Sequence, residues 1–475
     1  MYRAIGSGSG PIAFFVKLMI FFTLDNFDPL KLFLELAPSG PGFLESCGEV
    51  RRVGHYSVLP LRVRETWQMQ KGELVLHRGG EVIPQPGDPF TTLGTILEQR
   101  RIDPIGRSPF PGGFFGYFGY DLAGAIEQLP QKADRDLPVP QLWLAWVDVA
   151  LVYDHDNSRA MLDSLDPEVD LEQLAHRIRR VQARPTSCTP NPDIPTPQPA
   201  LNRQQFIERV EAARRYIAAG DIYQANLSCR FGSRVPADFD PATLYRKLRG
   251  INPSPFACYL QSPGVTIVSS SPERLVSLRG GIAETRPIAG TRPRGFTPPE
   301  DEQLGEELLA HPKERAEHIM LLDLERNDLG KVCRTGSVDV DELMVLERYS
   351  HVNHIVSNVR GELCANKGPF DLLRATFPGG TITGVPKKRC MEIIDELEPV
   401  GRGTYTGSAG YISATGEMDL NILIRSFQLV GNRLSYQVGA GIVADSDPER
   451  EWDECLAKGE AMQLAISSEH EEQTA

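Results

Sequence analysis

Hydrophobic and polar positions follow two periods along this chain, and the places where one gives way to the other outline its elements. A short helix is predicted from Asp28 to Leu36, stopped by Pro38-Ser39-Gly40-Pro41-Gly42. From 43 to about 160, brief alternating runs such as Val58-Leu59-Pro60-Leu61, Leu74-Val75-Leu76 and Trp143-Leu144-Ala145-Trp146-Val147 predict an antiparallel layer. Within it, the glycines and aromatics of 112–121 predict close backbone packing in a sheet. Helical spacing appears at Phe206, Val210, Ala213 and Ile217 and stops at Gly220, and a strand is expected over Asp221 to Phe231. Beyond it, strands (265–270, 273–279, 407–413, 421–430, 434–444) mix with helices (about 301–325, 368–376, 386–397, 447–467). Adjacent hairpins, such as 421–430 with 434–444 across Gly431-Asn432, favour a largely antiparallel α+β architecture over a doubly wound sheet.

The clearest boundary is the proline-rich stretch Arg184 to Ala200. It separates an N-terminal region (25–183) from a larger one (201–467), with a polar tail expected to be disordered at 468–475. Residues 1–24 read as a leader or a strand. Their apolar run, Pro11 to Phe22, contains Lys17 and is too short to span a bilayer. The 475 residues are 41% hydrophobic and 24% charged, as in ordinary globular enzymes. A net charge of −13 argues against nucleic acid as a main partner, so an anionic substrate would need a local basic pocket. Eight scattered cysteines with no Cys-x-x-Cys pair favour free thiols and a reducing, cytoplasmic setting over disulfides or zinc.

Candidate chemistry gathers late in the chain. The stretch Gly379-Gly380-Thr381-Ile382-Thr383-Gly384-Val385-Pro386 reads as a glycine-rich loop feeding a helix, a junction that suits a carboxylate or phosphate, although taken alone it reads more readily as a tight turn that needs glycine. Its spacing is not that of a mononucleotide P-loop. Ser446-Asp447-Pro448-Glu449 reads as a capping box, and Glu451, Glu454 and Lys458 share a face of the helix that follows. Glu317 comes from a second helix beginning at Pro312, and carboxylates from two helices suit Mg²⁺. Each glutamate taken singly reads more readily as a solvated helix face. Arg425 interrupts the apolar run Asn421 to Phe427, so it either pairs with a carboxylate in the fold or awaits one from a ligand. Gly439-Ala440-Gly441 offers unobstructed backbone N–H groups, and His351 and His354 would face opposite sides of a strand.

These segments, in this order, resemble the chorismate-utilising enzymes: anthranilate synthase component I, aminodeoxychorismate synthase component I, and the isochorismate and salicylate synthases. The matching stretches are Gly220 to Ser228, Ser271-Pro272-Glu273-Arg274, Arg286 to Gly295, Asp323 to Asp328, the glycine-rich loop, and Gly439 to Lys458. The resemblance implies a large, mostly antiparallel two-layered sheet core flanked by helices. It also implies Mg²⁺ held by Glu317 and Glu454 with Glu451 in support, binding the ring carboxylate of chorismate. Arg425 and Tyr405 would clamp the enolpyruvyl carboxylate with N–H groups around Gly439, Ala440 and Gly441. Thr381 and Gly384 would line the ring, Lys458 would add positive charge, and Glu273 would protonate the departing C4 hydroxyl beside His354 and Thr291.

The isochorismate-forming relatives carry Lys where this chain has Gln224. A neutral amide cannot deprotonate water, so ammonia is the expected nucleophile, supplied by a separate glutamine amidotransferase subunit. Ala289 is the residue expected of anthranilate synthases, although some aminodeoxychorismate synthases share it. Asn226, Phe118 to Leu122, Gly380 to Gly384 and Asn421 to Arg425 lean toward aminodeoxychorismate synthase. The expectation is amination of chorismate to 4-amino-4-deoxychorismate for para-aminobenzoate and folate, with a separate lyase downstream. Anthranilate formation is the alternative, and a non-catalytic chorismate-binding subunit is the alternative from another class. Leu44, Glu45 and Ser46 resemble the segment that binds tryptophan in feedback-inhibited relatives, from which Phe43 departs.

Overall fold

The computed structural model describes residues 2–5, 14–17, 19–47, 53–185, 189–348 and 352–467. Of the first two segments it describes the backbone alone, a two-stranded antiparallel pair. His351, Cys188 and the 468–475 tail lie outside the described residues.

All named strand pairs are antiparallel, and from Met19 onward they join one continuous sheet system. Chain order does not divide it. Met19–Thr23 pairs with Arg159–Ser164, Gly42–Glu45 with Phe256–Ser262, and Gly113–Phe118 with Ser408–Ser413. Strands from either side of the proline-rich stretch therefore lie side by side. That stretch runs across the surface, pinned where the Asn191 amide exchanges hydrogen bonds with the Asp240 backbone at 2.7 and 2.9 Å.

Most helices begin where a short polar side chain meets the free N–H groups of the first turn. Asp28, Asp88, Asp170, Asn202, Asp240, Thr297 and Asp447 each do so. In the last helix, Pro448–Ile466, Asp447 rather than Ser446 is the cap, and the Ser446 hydroxyl instead accepts the Val443 N–H at 3.0 Å. That helix packs on Arg203–Ala218 and on the strand Arg433–Ile442, burying Trp452, Cys455 and Met462. The aromatic stretch near 114 is tightly packed as expected. A Cβ on Gly116 would stand 2.1 Å from the Trp143 carbonyl oxygen, so only glycine fits between those strands.

Two elements differ from the sequence reading. The helix expected over 301–325 is two, Pro298–Ala310 and Pro312–Gly330, because Pro312 bars His311 from helical backbone. The strand expected over 421–430 is also two, Met418–Asn421 and Ser426–Val430. The first pairs with Arg274–Arg279 and Ser408–Ser413, the second with Val265–Ser271 and Arg433–Ile442. Residues 422–425 carry the chain from one set of partners to the other. Arg425 therefore stands at a crossing rather than inside a strand, with φ of 50°, an uncommon conformation for a side chain with a Cβ.

Candidate active site

Two long strands form the floor of the site. Gln224–Arg234 runs against Arg433–Ile442, placing Asn226 opposite Gly441, Leu227 opposite Ala440 and Ser228 opposite Gly439. The glycines leave room for the neighbouring strand's side chains. A Cβ on Gly441 would lie 2.5 Å from Gln224 Nε2, and one on Gly439 2.8 Å from Asn226 Oδ1. Gln224 Nε2 donates to Glu317 Oε1 at 2.8 Å, joining the strand to the Pro312–Gly330 helix. Gly384 pairs with Ala225 at the other edge, with φ of 135° and the Gln224 carbonyl where a Cβ would stand.

Glu317 and Glu454 arrive from different helices and feel one another. Burial raises the proton affinity of Glu317, and the nearby Glu314 and Glu454 carboxylates push the same way. Glu451 is buried at the start of its helix, its proton affinity raised by burial against the Ser446 hydrogen bond. Glu454 Oε1 bonds Lys458 Nζ at 2.7 Å, and Lys458 also donates to the Gly439 carbonyl at 3.1 Å. Burial works against the Lys458 charge, but the Glu454 carboxylate outweighs it and the ammonium is held more firmly than usual. Among the described residues no three acidic, histidine or cysteine side chains are close enough to ligate one ion together. Carboxylates from two helices nevertheless suit Mg²⁺, which commonly keeps several waters and takes one or two protein carboxylates.

A second wall carries the acid. Glu273 is buried, and burial pushes its carboxyl up to about 8, with the Glu325 carboxylate adding to the shift and Arg425 opposing it. Among the described residues no cation lies within ion-pair distance of it. The Arg425 side chain donates to Asn252 Oδ1 at 3.3 Å and extends its positive field over both Glu273 and His354. His354 is held neutral, pushed down to about 4 by burial and by Arg425. Its Nδ1 lies 3.3 Å from the Gly290 carbonyl and 3.0 Å from Thr291 Oγ1. Since a carbonyl only accepts, Nδ1 carries the proton and Nε2 is left as an acceptor. Ala289 is buried one residue before Gly290, on the same strand.

Between the walls, two buried polar atoms, Gln224 Oε1 and Asn226 Oδ1, have no partner in the protein, and the Thr381 hydroxyl beside them has Glu273 as its neighbour. Buried polar groups are nearly always bonded, so this cluster marks where a polar ligand or water belongs. Within the glycine-rich stretch, ahead of the helix that begins at Lys387, the Gly380 N–H donates to a carboxylate of the protein itself, Glu325, at 3.3 Å.

The sequence reading missed Arg402 and Glu398. They form a buried pair at 2.7 Å, and Arg402 also reaches the Ile382 carbonyl at 2.9 Å and the Asn226 carbonyl at 2.7 Å. Together they lock the loop to the floor strand, and the Tyr405 ring packs 5.6 Å from the same guanidinium. Their local signal was a single i, i+4 charge pair with no visible target. The Leu44-Glu45-Ser46 segment lies apart, beginning in a strand between Phe256–Ser262 and Tyr56–Gln70. Its Glu45 carboxylate is already held by Tyr245 and, at 3.1 Å, by Arg249.

The sequence profile of the chorismate binding enzymes matches residues 65–464. The chain belongs to this family. It is 41% identical over 433 residues to aminodeoxychorismate synthase component 1 of Bacillus subtilis, spanning 89% of this chain and 92% of that one. Against anthranilate synthase component 1 of Thermus thermophilus it is 41% identical over 458 residues, spanning 94% and 96%. An anthranilate synthase component I-like protein of Synechocystis is 50% identical over 364 residues, or 75% of this chain and 73% of the relative. The crystal structure of anthranilate synthase component I from Streptococcus pneumoniae superposes with a TM-score of 0.76 at 33% identity, covering 92% of this chain and 98% of that one. The two-layered antiparallel architecture of this chorismate-binding enzyme is thus that of its relatives. No helix among the described residues is long and apolar enough to cross a membrane.

Proposed function

We propose that this chorismate-binding enzyme aminates chorismate to 4-amino-4-deoxychorismate, taking ammonia from a glutamine amidotransferase partner and passing product to a separate lyase on the way to para-aminobenzoate. The observation that carries the choice of nucleophile is Gln224, whose amide donates to Glu317. A neutral amide at that position cannot deprotonate water, whereas ammonia brings its own lone pair.

Glu317 and Glu454, steadied by Glu451, would hold Mg²⁺. When bound, the ion supplies positive charge for the ring carboxylate. Arg425 and Tyr405, with N–H groups around Gly439, Ala440 and Gly441, orient the enolpyruvyl carboxylate, and Lys458 adds charge nearby. Thr381 and Gly384 set the ring against the floor strand. Glu273, protonated near neutral pH, gives its proton to the C4 hydroxyl, which leaves as water while nitrogen bonds to C2 and the double bond shifts. Neutral His354, oriented by Thr291, accepts a hydrogen bond at the same hydroxyl. The first product is 2-amino-2-deoxyisochorismate. A second ammonia then attacks C4 and expels the first amine, with no covalent lysine because position 289 is Ala.

Anthranilate formation is the second reading, favoured by that same Ala289 and by the anthranilate synthases among the relatives. It would stop at the first amine and eliminate pyruvate. Incubating the pure chain with chorismate, Mg²⁺ and an ammonium salt separates the two. Aminodeoxychorismate without pyruvate is expected; rapid pyruvate release with anthranilate fluorescence and no added lyase would exclude it.

A further inference from the structure

Arg402 is almost wholly buried, yet no step of the proposed reaction uses it. All five of its N–H groups find acceptors. Two go to the Glu398 oxygens at 2.9 and 2.7 Å, and the other Nη2 proton goes to the Asn226 carbonyl at 2.7 Å. The Nη1 pair goes to the Ile382 carbonyl at 2.9 Å and to Thr406 Oγ1 at 3.2 Å. Glu398 is anchored in turn by the Ser228 N–H at 2.9 Å and the Ser228 hydroxyl at 2.6 Å. The Tyr120 ring, from the N-terminal region, lies 4.8 Å from the guanidinium, and the Tyr120 N–H donates to the Gly403 carbonyl at 2.8 Å.

These contacts converge on the glycine-rich loop. Three successive loop carbonyls are held by Asn226 and Arg402 together. Thr381 O accepts Asn226 Nδ2 at 3.5 Å, Ile382 O accepts Arg402, and Thr383 O accepts the Asn226 N–H at 2.8 Å. A fixed carbonyl fixes its whole peptide plane, so these bonds decide where the loop turns Thr381. Thr406, beside Tyr405, is tied to the same guanidinium. One planar donor therefore sets the loop, the floor strand and the Tyr405 turn against one another. Lysine could still answer the Glu398 charge, but it has no rigid fork to span carbonyls on two segments.

We propose that Arg402, steadied by Tyr120, is a positioning residue that holds the glycine-rich loop at the distance from the floor strand that turnover requires. Its bonds to the Asn226 and Ile382 carbonyls do this, and the Glu398 pair keeps the guanidinium in place. The proposal depends on the loop lining the substrate ring.

Arg402→Lys tests it, followed by loss of chorismate with Mg²⁺ and ammonium, so that the measurement does not depend on which amine forms. In the folded variant kcat should fall about 10- to 100-fold while KM stays within about threefold, because misplaced groups cost the transition state more than the bound substrate. Hydrogen exchange read by mass spectrometry should rise in peptides covering 379–384 and stay at wild-type rates in the Lys387–Leu397 helix. If the lysine variant folds poorly, the double variant Glu398→Gln with Arg402→Met leaves neither charge buried alone and should show the same kinetic and exchange changes. Tyr120→Leu keeps every hydrogen bond of Arg402 and should lose severalfold in kcat; an unchanged kcat there would overturn the part given to Tyr120. Wild-type kcat in a folded Arg402 variant, or a lowered kcat with unchanged exchange at 379–384, would overturn the proposal. Thr381→Val separates it from the reading of the site. Wild-type turnover in that variant would show that the loop is not the ring wall; lowered turnover there with an unaffected Arg402→Lys would remove only Arg402.

Discussion

Glu45 and Glu273 are both buried glutamates, and their surroundings show how to tell a structural carboxylate from a chemical one. Burial raises the proton affinity of Glu45 too, but Arg249 and the Tyr245 hydroxyl sit against it and oppose the shift inside the fold. Glu273 has no cation at ion-pair distance among the described residues. It is surrounded by another acid, a threonine hydroxyl and, further off, the Arg425 field. A buried charge with its partner in place stabilises a particular arrangement of strands and helices. A buried acid without one keeps its proton at neutral pH and is ready to give it away.

Removing the acid should break that contrast most sharply. Glu273→Gln is expected to lower kcat about 10²- to 10⁴-fold with little change in KM, measured by chromatography of the products. The same substitution should raise stability at pH 7. The unfolded chain ionises this group near its ordinary value of 4.5, and the folded chain near 8. Between those values the folded state retains a proton that the unfolded state loses, so stability falls as pH rises, by up to about 1.4 kcal/mol per pH unit. Urea melts from pH 5 to 8 should show a shallower slope in the variant.

Metal removal comes next. Chelation should abolish turnover and Mg²⁺ restore it, while Glu454→Gln should lose at least about 100-fold in activity that added Mg²⁺ recovers poorly. Unchanged activity in that variant would remove Glu454 from the metal assignment.

On the structural side, Arg249→Ala strands the Glu45 charge and should cost about 3 kcal/mol of stability, read from chemical denaturation. Its product and pH profile should stay those of wild type, and a changed product would blur the distinction. The smallest effect is expected from Thr291→Val. It loosens His354 but leaves its Gly290 hydrogen bond, so a severalfold loss in kcat with an unmoved alkaline limb is anticipated.

The fold brings together residues from motifs that are remote in sequence. Gln224, Glu317 and Gly441 lie far apart along the chain and meet at one corner, as do Glu273, Arg425 and His354 on the opposite wall. Arg402 and Glu398 were not legible, because what they hold, the Ile382 and Asn226 carbonyls, is remote in sequence. Arg425 was read as a strand residue because its neighbours are apolar and β-prone. Local pattern cannot show that residues 422–425 leave one set of partners for another.

Sequence alone determined most periodic elements, the family and the residues able to do chemistry, since each depends on neighbouring residues or on motif order. Tertiary structure decided which carboxylates are charged. Ionisation in a dry interior depends on whether a cation from another part of the chain lands beside the acid, and that is settled only when distant strands and helices close around it.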